Sequence, residues 1–378
     1  MSAESTPEPG ITEPVATGPQ QRGGGRRRKA APSKRRKALL ATAWAAAGVV
    51  VLGGTGFGYV YFKLNGNLKS VDINQALGDE RPTKIDNGSE NILVLGSDTR
   101  SGKNRKLGGG TDDGSARSDT AMIVHVYKGH RKASVVSVPR DTLIDRPACT
   151  DTKGGSHPAA SGVMFNSAYS TGGAACAVKT VESLSGIRMD HYLEVDFAGF
   201  QKLIDDLGGV PVTTTKAIAD PQSHLNLKAG THTLDGERAL ALVRTRHGVG
   251  DGSDLGRIQL QQSFVKALLD QVEHVGVLSS PKKLYDLADT ATKAVTTDSD
   301  LGSVTSLADF AGGLKGIGSS HMRMVTMPVQ YDPANPNRVL LQKAKAELIW
   351  KALENDRPIP ASATKGTAAG EAKGVVSG

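Results

Sequence analysis

Four short segments of this 378-residue chain place acids or arginines at the ends of apolar runs. Gly96-Ser97-Asp98-Thr99-Arg100 follows the run 92–95, and Arg117-Ser118-Asp119-Thr120 precedes the run 121–124. Pro139-Arg140-Asp141 follows 135–138, and Arg244-Thr245-Arg246 ends the run 239–243. Carboxylate oxygens suit a hard divalent cation, and guanidinium forks match phosphate oxygens two at a time. The combination suits a metal-bound phosphate. Each piece alone has an ordinary reading: Asp98 as a turn residue, Asp119 as a cap, Arg140-Asp141 as a surface ion pair, Arg244 and Arg246 as solvated charges. The set points further, because the ends of buried strands gather sequence-distant residues into one crevice.

The elements that must position them alternate between strand-like and helix-like patterns. Strands are expected at 91–96, 121–127, 133–138, 190–195, 209–214 and 321–327. Helices are expected at 173–185, 197–207, 235–243, 256–274, 280–292, 301–314 and 339–353. The adjoining strands 121–127 and 133–138, joined by 128–132, predict an antiparallel hairpin, so the sheet is mixed. The expected architecture is a single α/β/α domain whose mixed central sheet is flanked by helices. The stretch Gly108-Gly109-Gly110 lacks a following Lys-Ser/Thr, matches no phosphate-loop fingerprint, and is read as a loop beside the site.

The chain carries a net charge of +8, but residues 1–37 hold nine basic and three acidic residues, which leaves +2 for the rest. A nearly balanced body with 4% aromatics offers neither a basic face nor stacking platforms for nucleic acid. Residues 39–62 contain no charge. At about 1.5 Å rise per residue this run spans a hydrocarbon core of about 30 Å. A cleaved signal peptide is the competing reading, but its apolar region is shorter, and Tyr59, Tyr61 and Phe62 suit a membrane interface. The basic cluster before the span places residues 1–38 in the cytoplasm as a disordered tail and the remainder outside. The expected order is therefore tail 1–38, transmembrane helix 39–62, stalk 63–88, extracytoplasmic domain 89–354 and flexible tail 355–378. Cys149 and Cys176 both fall on the outer side, where disulfides persist. A bridge between them is expected, with two unrelated buried thiols as the alternative.

The segments 95–100, 117–120, 137–141, 242–246 and Asp254-Leu255-Gly256-Arg257-Ile258 with Gln261-Gln262, together with Leu234-Asp235-Gly236-Glu237-Arg238-Ala239-Leu240, resemble the LytR–CpsA–Psr family. The resemblance covers about residues 88–275. Leu260 departs from it, since an arginine often precedes the paired glutamines, and this places one accessory phosphate contact in question. The resemblance implies a cell-membrane phosphotransferase of the bacterial envelope. It would move a glycopolymer from a polyprenyl-pyrophosphate carrier to peptidoglycan through a phosphodiester link. It implies Asp98 and Asp119 as ligands of Mg2+ (or Mn2+), with Arg117, Arg140, Arg244, Arg246 and Gln261 on the pyrophosphate. Asp98, Arg100, Asp119 and Arg140 are the catalytic candidates. Which carboxylate would take the acceptor proton is open, with Asp98 favoured.

The same resemblance implies that a prenyl chain lies along Phe197, Phe200, Leu203, Ile204, Leu207, Ile258, Phe264, Val265, Leu268 and Leu269, although helical spacing equally describes core packing. Two other functions stay open. One is a pyrophosphatase or phosphodiesterase acting on the same lipid, with water in place of the sugar hydroxyl. The other is a non-catalytic, membrane-tethered wall-binding regulator.

Overall fold

The computed structural model describes residues 56–98, 117–247, 249, 252–276, 280–371 and 376–377. The expected cytoplasmic tail, positions 39–55 of the expected span, Arg100 and the glycines at 108–110 lie outside these residues. No helix among the described residues is long and apolar enough to cross a membrane. The chain divides into Met1–Phe57 and Gly58–Gly378, and the sheets of the described residues lie in the second unit.

Seven strands form the central sheet: β1 Lys69–Val71, β2 Glu90–Asp98, β3 Arg117–Val126, β4 Ala133–Val138, β5 His191–Asp196, β6 Val295–Asp298 and β7 Met322–Thr326. Their spatial order is β1-β6-β5-β2-β3-β4-β7. β2, β4, β5 and β7 run one way, and β1, β3 and β6 run the other. The sheet is mixed, and the expected β3–β4 hairpin is present with Ala121 opposite Val138. β4 is buried at every position, as a strand covered on both faces must be.

Alternation sorts the apolar side chains. Leu93, Leu95, Ile123, Val136 and Val138 join the main core with Val178 and Val181 of α1 (Asn166–Ser185) and Ile349 and Leu353 of α6 (Lys343–Glu354). On the other face Ile92, Val126 and Ala133 pack with Phe310 and Leu314 of the helix Val304–Leu314. Three further helices lie between them in sequence and carry the site: α2 Phe197–Asp206, α3 Gly236–Arg244 and α4 Asp254–His274. α5 (Pro281–Ala294) packs on α2 closely enough that a Cβ at Gly199 would stand 2.3 Å from Ala294 Cβ.

Several boundaries differ from expectation. Strand Val210–Thr214 forms, but in a small sheet with Gly230–Leu234, where Pro211 needs no ladder donor on both sides. Positions 339–341 are strand rather than helix, because Val339 and Leu340 pair with Thr142 and Leu143 and tertiary pairing overrides local period. The segment 63–88 is not a free stalk. It supplies β1, buries Ile73 and Leu77 in the main core, and ties Asn67 to Asp289. The described residues after 354 likewise pack against the body. Ile359 and Ala363 are core residues, and Val376 pairs with Thr214.

Cys149 and Cys176 form a disulfide with Cα atoms 5.3 Å apart. The cysteine on α1 follows a kink at Gly172-Gly173, where Gly173 has φ +65° and a Cβ at Gly172 would meet Cys176 Sγ at 2.2 Å. Glycine there lets the helix turn without striking the bridge.

Candidate active site

The carboxyl ends of β2, β4 and β5 and the start of β3 meet at one end of the sheet. Asp98 is the register partner of Arg117. A bulge after Gly96 pairs Thr120 with Gly96 and Ser118 with Ser97, leaving Asp119 as the extra residue. The backbone therefore brings both acids to adjoining strands at one edge. The side chains of Asp98, Arg117 and Asp119 lie outside the described part of the molecule. Two acids on adjoining strands are residue types that suit magnesium, which keeps its other positions for water and phosphate. Among the described residues no cluster of three or more His, Cys, Asp or Glu could hold a metal.

Beneath this edge Ser97 is buried, with its hydroxyl 3.3 Å from the Tyr169 hydroxyl. Tyr169 donates to Glu194 Oε1 at 2.8 Å, and Tyr192 donates to the other oxygen of the same buried carboxylate. Burial, then the Glu194 charge, push both phenols well above their usual pKa, so they remain donors.

Arg140 sits at the corner where Pro139, which has no N–H, ends β4. Its backbone is held from both sides: its N–H donates to Asp254 Oδ2 at 3.0 Å, and its carbonyl accepts from Asn166 N at 3.1 Å. Asp254 opens α4, where a carboxylate meets the positive end of the helix and Ser253 caps Leu255 N. Asp254 Oδ1 hydrogen-bonds Arg257 Nη2 and lies 3.7 Å from Arg246 Nη2 and 4.0 Å from Arg140 Nε. Asp141 is 3.6 Å from Arg140 Nε. Three guanidiniums thus converge on Asp254, with Asp141 at the edge. Burial, then the charges of Arg257 and Arg140, lower the Arg246 pKa to about 10, which leaves it cationic at neutral pH. Arg246 Nη2 is buried and has no hydrogen-bond partner among the described residues. A buried donor without an acceptor costs roughly 1–3 kcal/mol, and an anion would relieve that cost.

Arg244 and Arg246, two positions apart, would share one face only in an extended segment, and the backbone at Arg244 is helical. Arg244 closes α3, with its guanidinium 5.3 Å from the centre of the Phe197 ring, and Thr245 after it is extended. Asp220 fixes the turn by accepting from Arg246 N at 3.0 Å and His247 N at 3.1 Å. Burial raises the Asp220 pKa, but these N–H groups and that of Gln222 outweigh it and hold it below the usual value. Gln261 is buried and its amide nitrogen donates to Thr120 Oγ1 and to Val243 O, each at 2.9 Å. Leu260, which departs from the resemblance, is buried in the cluster between α2, α3 and α4. Ile204 and Phe264 are buried in that cluster too, and Leu207 and Ile258 are also buried, as core packing requires. Phe200, Leu203, Val265, Leu268 and Leu269 are half-buried.

The structure thus brings Arg140, Arg246 and Gln261 together at the sheet end that carries Asp98 and Asp119, with Arg244 against α2. Arg100 lies outside the described residues, and the disulfide cysteines belong to the body of the fold. Sequence reasoning assigned no role to Asp254, Arg257 or Asp220. The first two stand three apart just after a capping serine, which was the available signal.

The sequence profile of the LytR_cpsA_psr family matches residues 60–355. The chain is 32% identical over 312 residues to "Cell wall biosynthesis protein LcpA" of Corynebacterium glutamicum, covering 75% of this chain and 59% of that protein. It is 31% identical over 319 residues to "Polyisoprenyl-teichoic acid--peptidoglycan teichoic acid transferase TagT" of Bacillus subtilis, covering 82% of this chain and 91% of that one. The solved structure "TagT bound to LI-WTA" superposes with a TM-score of 0.53 at 25% identity, over 76% of this chain and 98% of that one. The chain thus spans about three fifths of LcpA but nearly all of TagT. On the family profile, these two relatives and the shared mixed sheet, the chain belongs to the LytR_cpsA_psr family.

Proposed function

We propose that the protein is a phosphotransferase that moves a glycopolymer from a polyprenyl-pyrophosphate lipid to peptidoglycan, forming a phosphodiester link during wall assembly. One observation carries the reading: a cluster of guanidiniums at the sheet end, one of them with a buried donor that lacks an acceptor among the described residues. The name of the TagT relative, which specifies a polyisoprenyl-linked donor and a peptidoglycan acceptor, supports the same chemistry.

In this reading the acceptor hydroxyl oxygen attacks the sugar-side phosphorus. The bond from that phosphorus to the bridging oxygen breaks, and the electron pair leaves on polyprenyl phosphate. Arg140 and Arg246 bind the charged oxygens, and their attraction grows as charge moves to the leaving group. The Phe197 ring would orient the Arg244 guanidinium, which lies against it. Asp98 and Asp119 would hold a magnesium ion, which when bound would neutralise phosphate oxygens and ease loss of the hydroxyl proton, with Asp98 as the carboxylate that would take that proton. Half-buried apolar groups on α2 and α4 offer a surface for the prenyl chain. Residues 39–62 would span the membrane, with the tail inside and Gly58–Gly378 outside apart from the last turns of the span.

The test is product analysis. Full-length protein in detergent receives lipid-linked glycan, magnesium and peptidoglycan fragments. The expected product is glycan on the fragments, with polyprenyl phosphate released. Release of glycan phosphate at the same rate without an acceptor would replace this reading by a pyrophosphatase. No turnover under any condition would favour a tethered regulator.

A further inference from the structure

We propose that Asp254 is a positioning residue that pre-organises the arginine cluster by serving as its internal counter-ion. The inference rests on the reading of that cluster as a pyrophosphate seat.

Three guanidiniums from three separate segments cannot stay together unaided. At a separation of 4 Å, two like charges repel by about 4 kcal/mol at an effective dielectric near 20. Asp254 is the group they share. One oxygen meets Arg257, Arg246 and Arg140, and the other accepts the Arg140 backbone N–H. It is itself buried and sits in the first turn of α4, where the helix end favours its charge. Arg257 is also buried, so it has little access to solvent counter-ions. Among the described residues Asp141 also carries a carboxylate near the cluster, 3.6 Å from Arg140 Nε.

Two roles for Asp254 predict opposite signs. If it only tempers charge, removing it makes the seat more positive and tightens anion binding. If it holds the forks in place, removal weakens binding, because the anion must then order the guanidiniums itself.

The experiment measures binding of inorganic pyrophosphate to full-length protein in detergent, by calorimetry, for wild type, Asp254→Asn, Asp254→Glu and Asp141→Asn. Expected is binding by wild type and a loss of about tenfold or more in Asp254→Asn at matched folding by circular dichroism. Partial recovery in Asp254→Glu and little loss in Asp141→Asn are also expected. Equal or tighter binding by Asp254→Asn overturns the proposal. Should that variant not fold, Arg257→Lys takes its place, because lysine keeps the charge but loses the fork that meets Asp254. Unchanged affinity there also overturns it. Absence of binding by the wild type is a separate result: it removes the phosphate reading of the cluster, and this inference with it.

Discussion

Arg81 lays its guanidinium across both carboxylate oxygens of Glu182, with Nη2 2.6 Å from Oε1 and Nε 3.1 Å from Oε2. Both side chains are almost wholly buried, and Glu182 Oε1 also accepts Met189 N. The pair locks the segment before β2 onto α1. Removing one partner strands a buried charge, so Arg81→Ala should lose roughly 3–5 kcal/mol of stability. Urea unfolding of the full chain measures this, and a change within about 0.5 kcal/mol, the range of ordinary surface substitutions, would mean that the segment does not bear on the fold.

The kink at Gly172 gives a second test. An added Cβ would collide with Cys176 Sγ, and Cys149 is fixed on the other side of the bridge. Gly172→Ala should therefore leave both thiols free under conditions in which the wild type has none. Loss of a bridge closing this loop costs about 3–4 kcal/mol in the chain-entropy picture. Labelling of the denatured, unreduced chain reads the outcome directly, and an intact bridge in the variant would show that the helix can shift at no great cost.

Arg246 offers a planar fork as well as a charge. Arg246→Lys should lose transfer activity nearly as badly as Arg246→Ala, by about a hundredfold or more. Should lysine retain full turnover, charge alone would be what the position contributes.

The His191–Asp298 pair gives the fold a pH dependence. Burial lowers the His191 pKa, but the Asp298 hydrogen bond at 3.3 Å and its charge outweigh burial and raise it above the usual value. The folded state then binds the proton more tightly than the unfolded chain. The stabilisation is complete below about pH 6.5 and is lost as pH rises through the raised value. Urea midpoints at about pH 6 and about pH 8 should differ more for wild type than for His191→Gln. An identical difference in both proteins would remove His191 as the cause.

How much of this was legible beforehand follows from where the information lies. The β3–β4 hairpin was legible because two apolar runs flank a short polar turn, a local signal. That the backbone positions 98, 119 and 140 fall at one end of the sheet was legible because each stands at the end of an apolar run. β1 was not, since three residues carry no alternation, and the strand exists only because β6 lies beside it. Asp220 was hidden for a similar reason: its partners are backbone N–H groups at 246 and 247, which no side-chain pattern announces. Asp254 stood in a quoted motif, yet its link to Arg140 spans 114 positions and required the fold.

The Gln261 amide nitrogen binds Thr120, next to Asp119, and Val243, next to Arg244. One nitrogen atom therefore clamps the strand that carries an acid to the helix that carries an arginine. The two halves of the crevice cannot slide independently by more than the slack of a hydrogen bond. Mechanically the seat is a single stiff jaw. Free-energy losses from Thr120→Val and Arg244→Lys should then fail to add in a double-mutant cycle, as they do for residues joined through a shared partner. A bound substrate would feel the same stiffness: any retuning of one grip is transmitted to the other.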